Sequence, residues 1–170
     1  MGLANYMDRI AFLDGQVLHD YHLNIMQKNM AEAIKTRIVQ ERYDMLMLVS
    51  PYNYYFSESF VNDDQRDPSS TAILNTQSFC ITSDSWITRF LQLPTATSEI
   101  CLMSDYEDNV KEEAFVSFYY RTAGDAPWIK VIIDQEITLP TPSDKIQIKI
   151  ECQYKTTVSP IVYDFALMSK

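Results

Sequence analysis

The segment KIQIKIECQY, residues 145–154, alternates without a fault: Ile146, Ile148, Ile150 and Cys152 fall on one side, and Lys145, Gln147, Lys149 and Glu151 on the other. Period two is what a strand with one buried and one wet face requires, because successive side chains of a pleated chain point to opposite sides. A helix would scatter the same residues around its circumference. Working outward, apolar runs rich in β-branched and aromatic residues recur at 73–81, 86–93, 99–104, 114–122, 128–133, 136–139 and 160–168. Turn-forming clusters such as Gly124-Asp125-Ala126-Pro127 and Pro140-Thr141-Pro142-Ser143-Asp144 separate them. About eight strands at this spacing predict an antiparallel β-sandwich of jelly-roll type.

Before residue 49 the period is different. From Leu18 to Met47 there is neither Gly nor Pro, and Leu23, Met26, Met30, Ala33, Ile34 and Ile38 recur at spacings of three and four, as on one apolar face of a helix. A helix of roughly 25 to 30 residues is longer than the ~11 to 12 residue mean, so it is expected to lie along neighbouring elements or other subunits. Heptad positions are apolar for two repeats, after which Arg37 and Gln40 occupy the seam, which argues against a long coiled coil. An oligomer axis and a brace across the chain's own sheet are both open, and either would bury the same stripe. The expected fold is therefore α+β: an N-terminal arm and docking or oligomerisation helix over 1–48, a connector over 49–71 and a β-sandwich domain over 72–170.

The totals agree with one domain, or a domain and an appendage. A chain of 170 residues, 46% hydrophobic and 12% aromatic, has enough apolar material for a real core. No run approaches the roughly 18 apolar residues of a membrane span. Asp8 and Arg9 precede any stretch able to serve as a secretory h-region, and Tyr6 stands where a myristoylation signal needs Ser or Thr. Cys80, Cys101 and Cys152 are far apart and form no CxxC pair, so reduced, buried thiols are expected. A formal charge of −9 opposes nucleic-acid binding, which uses Lys and Arg to displace counterions from phosphates. With three glycines in total, the chain has no Gly-rich phosphate cradle.

Residue types capable of chemistry are present, but not in the patterns that chemistry needs. His19 and His22 share a side of a helix and suggest zinc, yet the HExxH spacing and its Glu are absent. Asp63, Asp64 and Asp67, and separately Asp105, Glu107 and Asp108, offer oxygen ligands without matching a calcium loop, and solvated turns are the simpler reading. Both histidines lie in the helical segment and no GxSxG elbow occurs, so neither a Ser-His-Asp triad nor a Cys-His pair is expected. The expectation is no catalytic residue, no metal and no cofactor. Tyr52, Tyr54, Tyr55 and Phe56, with Trp86 and Trp128, are a candidate sugar-stacking platform; Trp86, Trp128 and Tyr54 are its named members, although aromatics in alternating strands more often pack in cores.

One further stretch, FLDGQVLHDYHLNIMQ at 12–27, resembles a pattern of tailed-bacteriophage virion proteins, in which a Gly-Gln step leads into a helix carrying Leu, then Leu-Asn, then Gln. The matching residues are Phe12, Asp14, Gly15, Gln16, Leu18, Leu23, Asn24 and Gln27. The segments FVSFYYRTAGDAPWIKVI (115–132), KIQIKIEC (145–152) and SPIVYDFALMSK (159–170) are similar to sandwich domains of phage tail, baseplate and fibre proteins. Gly15, Leu18, His22 and Leu23 also fall at spacings that resemble the N-terminal segment of the type VI secretion trimeric baseplate protein, although this chain is much shorter than that family.

The resemblance implies a non-enzymatic structural subunit of a phage particle, in the tail, baseplate or fibre-attachment region. It would be made and assembled in the host bacterial cytoplasm, would end in the virion, and would form homo-oligomers, a trimer first among them, alongside other virion proteins. Assembly would run through Phe12, Gly15, Gln16, Leu18, His22, Leu23, Asn24, Met26, Gln27 and Met30. Gly15 permits a tight bend into the helix, and Gln16, Asn24 and Gln27 offer hydrogen bonds where bare charges would be costly. The alternative is a carbohydrate-binding module that recognises the host cell surface.

Overall fold

The computed structural model describes residues 20–170, with side chains from Leu23 onward. The chain opens with α1 (Asp20–Val49), which overlaps the expected helix almost end to end. Nine strands follow: β1 (Tyr54–Glu58), β2 (Leu74–Asn75), β3 (Cys80–Ile81), β4 (Asp84–Ile87), β5 (Leu91–Glu107), β6 (Phe115–Arg121), β7 (Ile129–Val131), β8 (Glu136–Gln153) and β9 (Ile161–Ser169). Every pairing is antiparallel, in the order β2-β3-β9-β5-β8-β6-β7, with β1 also on β9 and β4 also on β8. The class is α+β. In place of the two separate sheets of a jelly-roll sandwich, the strands form one continuous sheet curled into a half-barrel.

The long strands cause the curl. β5 pairs with β8 over its first part and with β9 over its second, and β8 passes from β5 to β6 and β4 along its length. Pro140 and Pro142 predict a break that would divide β8 into two strands, because proline cannot donate to a ladder. The chain instead stays extended, and both prolines fall in an exposed stretch where the β5 register shifts and no ladder hydrogen bond is needed from them. The opposite difference appears at 73–81, where one expected strand is two short ones around a turn in which Asn75 Oδ1 accepts from the backbone N–H groups of Gln77 and Ser78. Part of the expected connector, Tyr54–Glu58, pairs in full register with Ser169–Phe165.

The alternation of KIQIKIECQY is kept: Ile146, Ile148, Ile150 and Cys152 enter the main core. That core also holds Trp86, Phe118, Phe165 and Leu167, and rings meet across it at 5.2 Å (Phe60 and Trp86), 6.0 Å (Phe60 and Phe165) and 5.3 Å (Tyr106 and Phe118). β9 feeds it from two registers. Asp105 faces Asp164 and Tyr106 faces Val162, so Tyr163 is the extra residue of a bulge, and the bulge switches parity so that Val162, Phe165 and Leu167 all point inward.

Parity also puts Asp164, Ala166 and Met168 on the outer face of the sheet, where α1 lies. A second core forms there from Val39, Tyr43, Cys101, Ala166 and Met168. Val39 and Tyr43, four apart, are 1% and 2% exposed. The stripe expected to be buried points the other way: Leu23, Met26, Met30, Ile34 and Ile38 are exposed, and Met45, Leu48 and Val49 extend the line. The helix thus braces the sheet with one face and presents a different apolar face to solvent. Brace and oligomer axis do not compete for one stripe.

Candidate functional site

Helix geometry decides what the outer stripe is. Successive steps of three, four and seven from Leu23 through Met26, Met30, Ile34, Ile38, Met45 and Leu48 keep to one side of a rod with 3.6 residues per turn. Exposure along it is high, 61% at Met30 and 85% at Leu48. The line is crossed once by charge: Arg37 Nε donates to Glu41 Oε1 at 2.7 Å, an exposed i,i+4 pair in mid-helix. Asn24 and Gln27 are exposed near its start. Of the residues expected to carry docking, Leu23, Asn24, Met26, Gln27 and Met30 therefore lie on one accessible helix surface. Phe12, Gly15, Gln16 and Leu18, and the side chain of His22, lie outside the described residues, as does His19.

What holds that rod in place is a buried carboxylate. Asp164, fully buried on β9, accepts the Tyr43 hydroxyl at 2.7 Å and two hydrogen bonds from Arg42 Nη1 at 3.0 and 3.2 Å, with Lys35 Nζ at 3.7 Å. Arg42 Nη2 reaches Asp105 at 3.2 Å. Burial, then the neighbouring Asp164 carboxylate, pushes the Tyr43 phenol well above its ordinary range, so it remains a donor. Nearby, Tyr55 Oη donates to Asp44 Oδ1 at 2.5 Å and ties β1 to the same helix. The sequence carries a signal for this clamp, since one Asp amid the apolar residues of IVYDFALM demands a buried partner.

A concave site lies between α1, β1 and the start of β5. It has a volume of 590 Å3 and is lined by Thr36, Tyr54, Phe56, Glu58, Gln65 and Phe90, among others. Glu58 is buried at its wall, and its Oε1 accepts the backbone N–H of Phe60 at 2.9 Å. That bond helps hold Phe60 in a left-handed conformation (φ 54°), unusual for a bulky residue, with its ring wedged between Trp86 and Phe165.

Burial raises the Glu58 carboxyl to about 7 against an ordinary 4.5, and the N–H groups of Phe60 and Ser59 only partly oppose it. Between those values the folded chain keeps a proton that the unfolded chain has released. Stability is therefore expected to fall as pH rises from about 4.5 and to level off above about 7, by on the order of 3 kcal/mol. Urea unfolding at about pH 5 and about pH 8 should show this decline in the parent chain and a flatter response in Glu58→Gln. An equal decline in both would assign it elsewhere.

The aromatic platform is not assembled as such. Trp86 is 0% exposed inside the main core, out of reach of any sugar, because it pairs through β4 onto the C-terminal part of β8. Trp128 is half-buried, with the Arg121 guanidinium 4.4 Å and Lys149 Nζ 5.1 Å from its ring centre. Tyr54 is half-buried and borders the cleft. Members of the acidic clusters have partners of other kinds: Asp67 Oδ1 accepts from the Ser69 N–H, Asp108 Oδ1 accepts from the Val116 N–H, and Asp105 pairs with the Arg42 side chain. Among the described residues no group of three or more His, Cys, Asp or Glu is placed to hold a metal ion, and no helix is long and apolar enough to cross a membrane. The three cysteines are free and buried.

Fold and sites together define an α+β protein whose long helix is locked to a curled sheet on one side and, among the described residues, exposed on the other. Comparison with known protein families, curated proteins and solved structures finds no match.

Proposed function

We propose that the chain is a non-enzymatic structural subunit of a bacteriophage particle, in the tail, baseplate or fibre-attachment region, that assembles with copies of itself through the outer stripe of α1. The observation that carries this reading is the stripe itself. Its eight large apolar side chains, Leu23 to Val49, expose on the order of 900 Å2, above the few hundred Å2 of apolar patch usual on a monomer and close to the ~800 Å2 that each partner buries in a standard interface.

A second copy fits as the occupant because the stripe is long and its mid-helix charges are the Arg37 and Glu41 pair. Those two charges are able to exchange partners between neighbouring helices and so fix their register. Methionines at the contact allow packing that adapts. Threefold association is the expected form. The sequence resemblance to phage virion proteins supplies the particle, and the curled sheet is read as a variant of the jelly-roll-type sandwich of such subunits.

Light scattering on the full chain and on the double variant Ile34→Glu, Ile38→Glu tests this. The parent chain is expected at the mass of a trimer at micromolar concentration. The variant is expected to be a folded monomer, because neither side chain belongs to the sheet-facing core; its melting loses only the share that association supplies. A parent chain that is monomeric and also fails to bind purified virion components would sink the proposal. Deleting the helix is a poorer test, since its other face covers Ala166, Met168 and Asp164.

A further inference from the structure

The cleft between α1, β1 and the start of β5 is separate from the outer helix stripe, and its lining has a chemistry of its own. Its 590 Å3 falls within the range of small-molecule sites. Three aromatic rings, Tyr54, Phe56 and Phe90, border it, and Phe90 is 39% exposed. Between them stand groups that exchange hydrogen bonds with hydroxyls: the carboxamides of Asn62 and Gln65, the hydroxyls of Thr36 and Ser57, and the carboxyl of Glu58. Asn62 uses its oxygen on the Asp64 N–H, which leaves its amide nitrogen to donate. Among the described residues no Lys, Arg or His lines the cleft, and Arg121, whose guanidinium lies 5.9 Å from the Phe90 ring centre, donates to Gln147 Oε1 and the Gly124 carbonyl, so it is already engaged.

We infer that this cleft binds a neutral saccharide of two or three sugar units. Aromatic rings pack against the apolar C–H faces of a pyranose, while amides and carboxyls pair with its hydroxyls, and both kinds of group are present here without a counter-charge for phosphate or carboxylate. The Glu58 carboxyl, held in a buried wall, serves an uncharged ligand whether it donates or accepts. A lipid or other wholly apolar ligand would leave the Asn62, Gln65 and Glu58 groups unpaired, at a cost that disfavours it. This inference stands on the cleft alone and does not depend on how the chain assembles.

The test uses the full chain with maltotriose, cellotriose and N,N′,N″-triacetylchitotriose, each at millimolar concentration, and reads saturation transfer to the sugar C–H protons and heat of binding. At least one trisaccharide is expected to bind. Phe90→Ala is expected to weaken it at least about tenfold, the loss of one stacked ring face. Gln65→Ala should act in the same direction and decides the matter if Phe90→Ala does not fold. Trp128→Ala, outside the cleft, should leave binding unchanged. Binding by none of the three sugars would overturn the inference, as would loss of binding in Trp128→Ala with retention in Phe90→Ala. Spermidine competing for the same site would overturn the ligand class, because it would mark Glu58 and Asp64 as a cation trap.

Discussion

Asp164→Ala is expected to lower the stability of the chain by about 2 to 4 kcal/mol, and to do so by releasing α1 rather than by loosening the sheet. The carboxylate is fully buried and ends hydrogen bonds from Tyr43 and Arg42, so its removal leaves a phenol and a guanidinium facing an apolar wall. Loss of one member of a buried pair typically costs about 3 to 5 kcal/mol; the lower figure here allows for Arg42, which is 39% exposed and keeps Asp105. Asp164→Asn should be milder, since its oxygen still accepts from Tyr43. Denaturant unfolding gives the magnitude, and amide exchange gives the place. Exchange should quicken over 35–49 before it changes in β5 and β8. Uniform quickening across the sheet would mean that the helix is not a separately opening unit.

The second large effect is at Trp86, where Trp86→Ala is expected to cost about 3 to 5 kcal/mol and Trp86→Phe about 1 kcal/mol. The indole fills the space between Phe60 and the C-terminal part of β8, with the Arg66 guanidinium 5.7 Å from its ring centre, so alanine leaves a cavity in the main core. Its Nε1–H is buried with no hydrogen-bond partner. Phenylalanine therefore keeps most of the packing and removes a donor that already lacks an acceptor. Thermal unfolding of both variants separates packing from hydrogen bonding. Equal losses for Phe and Ala would show that the indole nitrogen is served by a bound water.

Much of this fold is legible one residue at a time. The alternation at 145–154 places Ile146, Ile148 and Ile150 in the core, because pleated geometry leaves no other way to bury a period-two stripe. A stretch of thirty residues without Gly or Pro from Leu18 to Met47 locates the C-terminal end of α1 to within two residues. Other features needed partners that no local pattern names. Tyr54–Glu58 becomes a strand only because β9 lies beside it, and Pro140 and Pro142 remain within β8 because the register shift leaves their positions unpaired. The helical spacing of Leu23, Met26 and Met30 was visible in the sequence as an apolar stripe, but not that it faces away from the sheet. The cleft was not visible, because it gathers residues from 36 to 92 that share no periodicity.

By itself, then, the sequence determined the helix, the antiparallel strands and the inward set of the longest alternating strand. These follow from backbone geometry and the burial of apolar surface. Tertiary structure alone decided which side of the helix meets the sheet. Hydrophobic burial alone would have favoured the side carrying Met30, Ile34 and Ile38. The side carrying Lys35, Arg42 and Tyr43 docks instead, because the bulge at Tyr163 sets Asp164 on the outer face of β9, and a buried carboxylate must be met by donors.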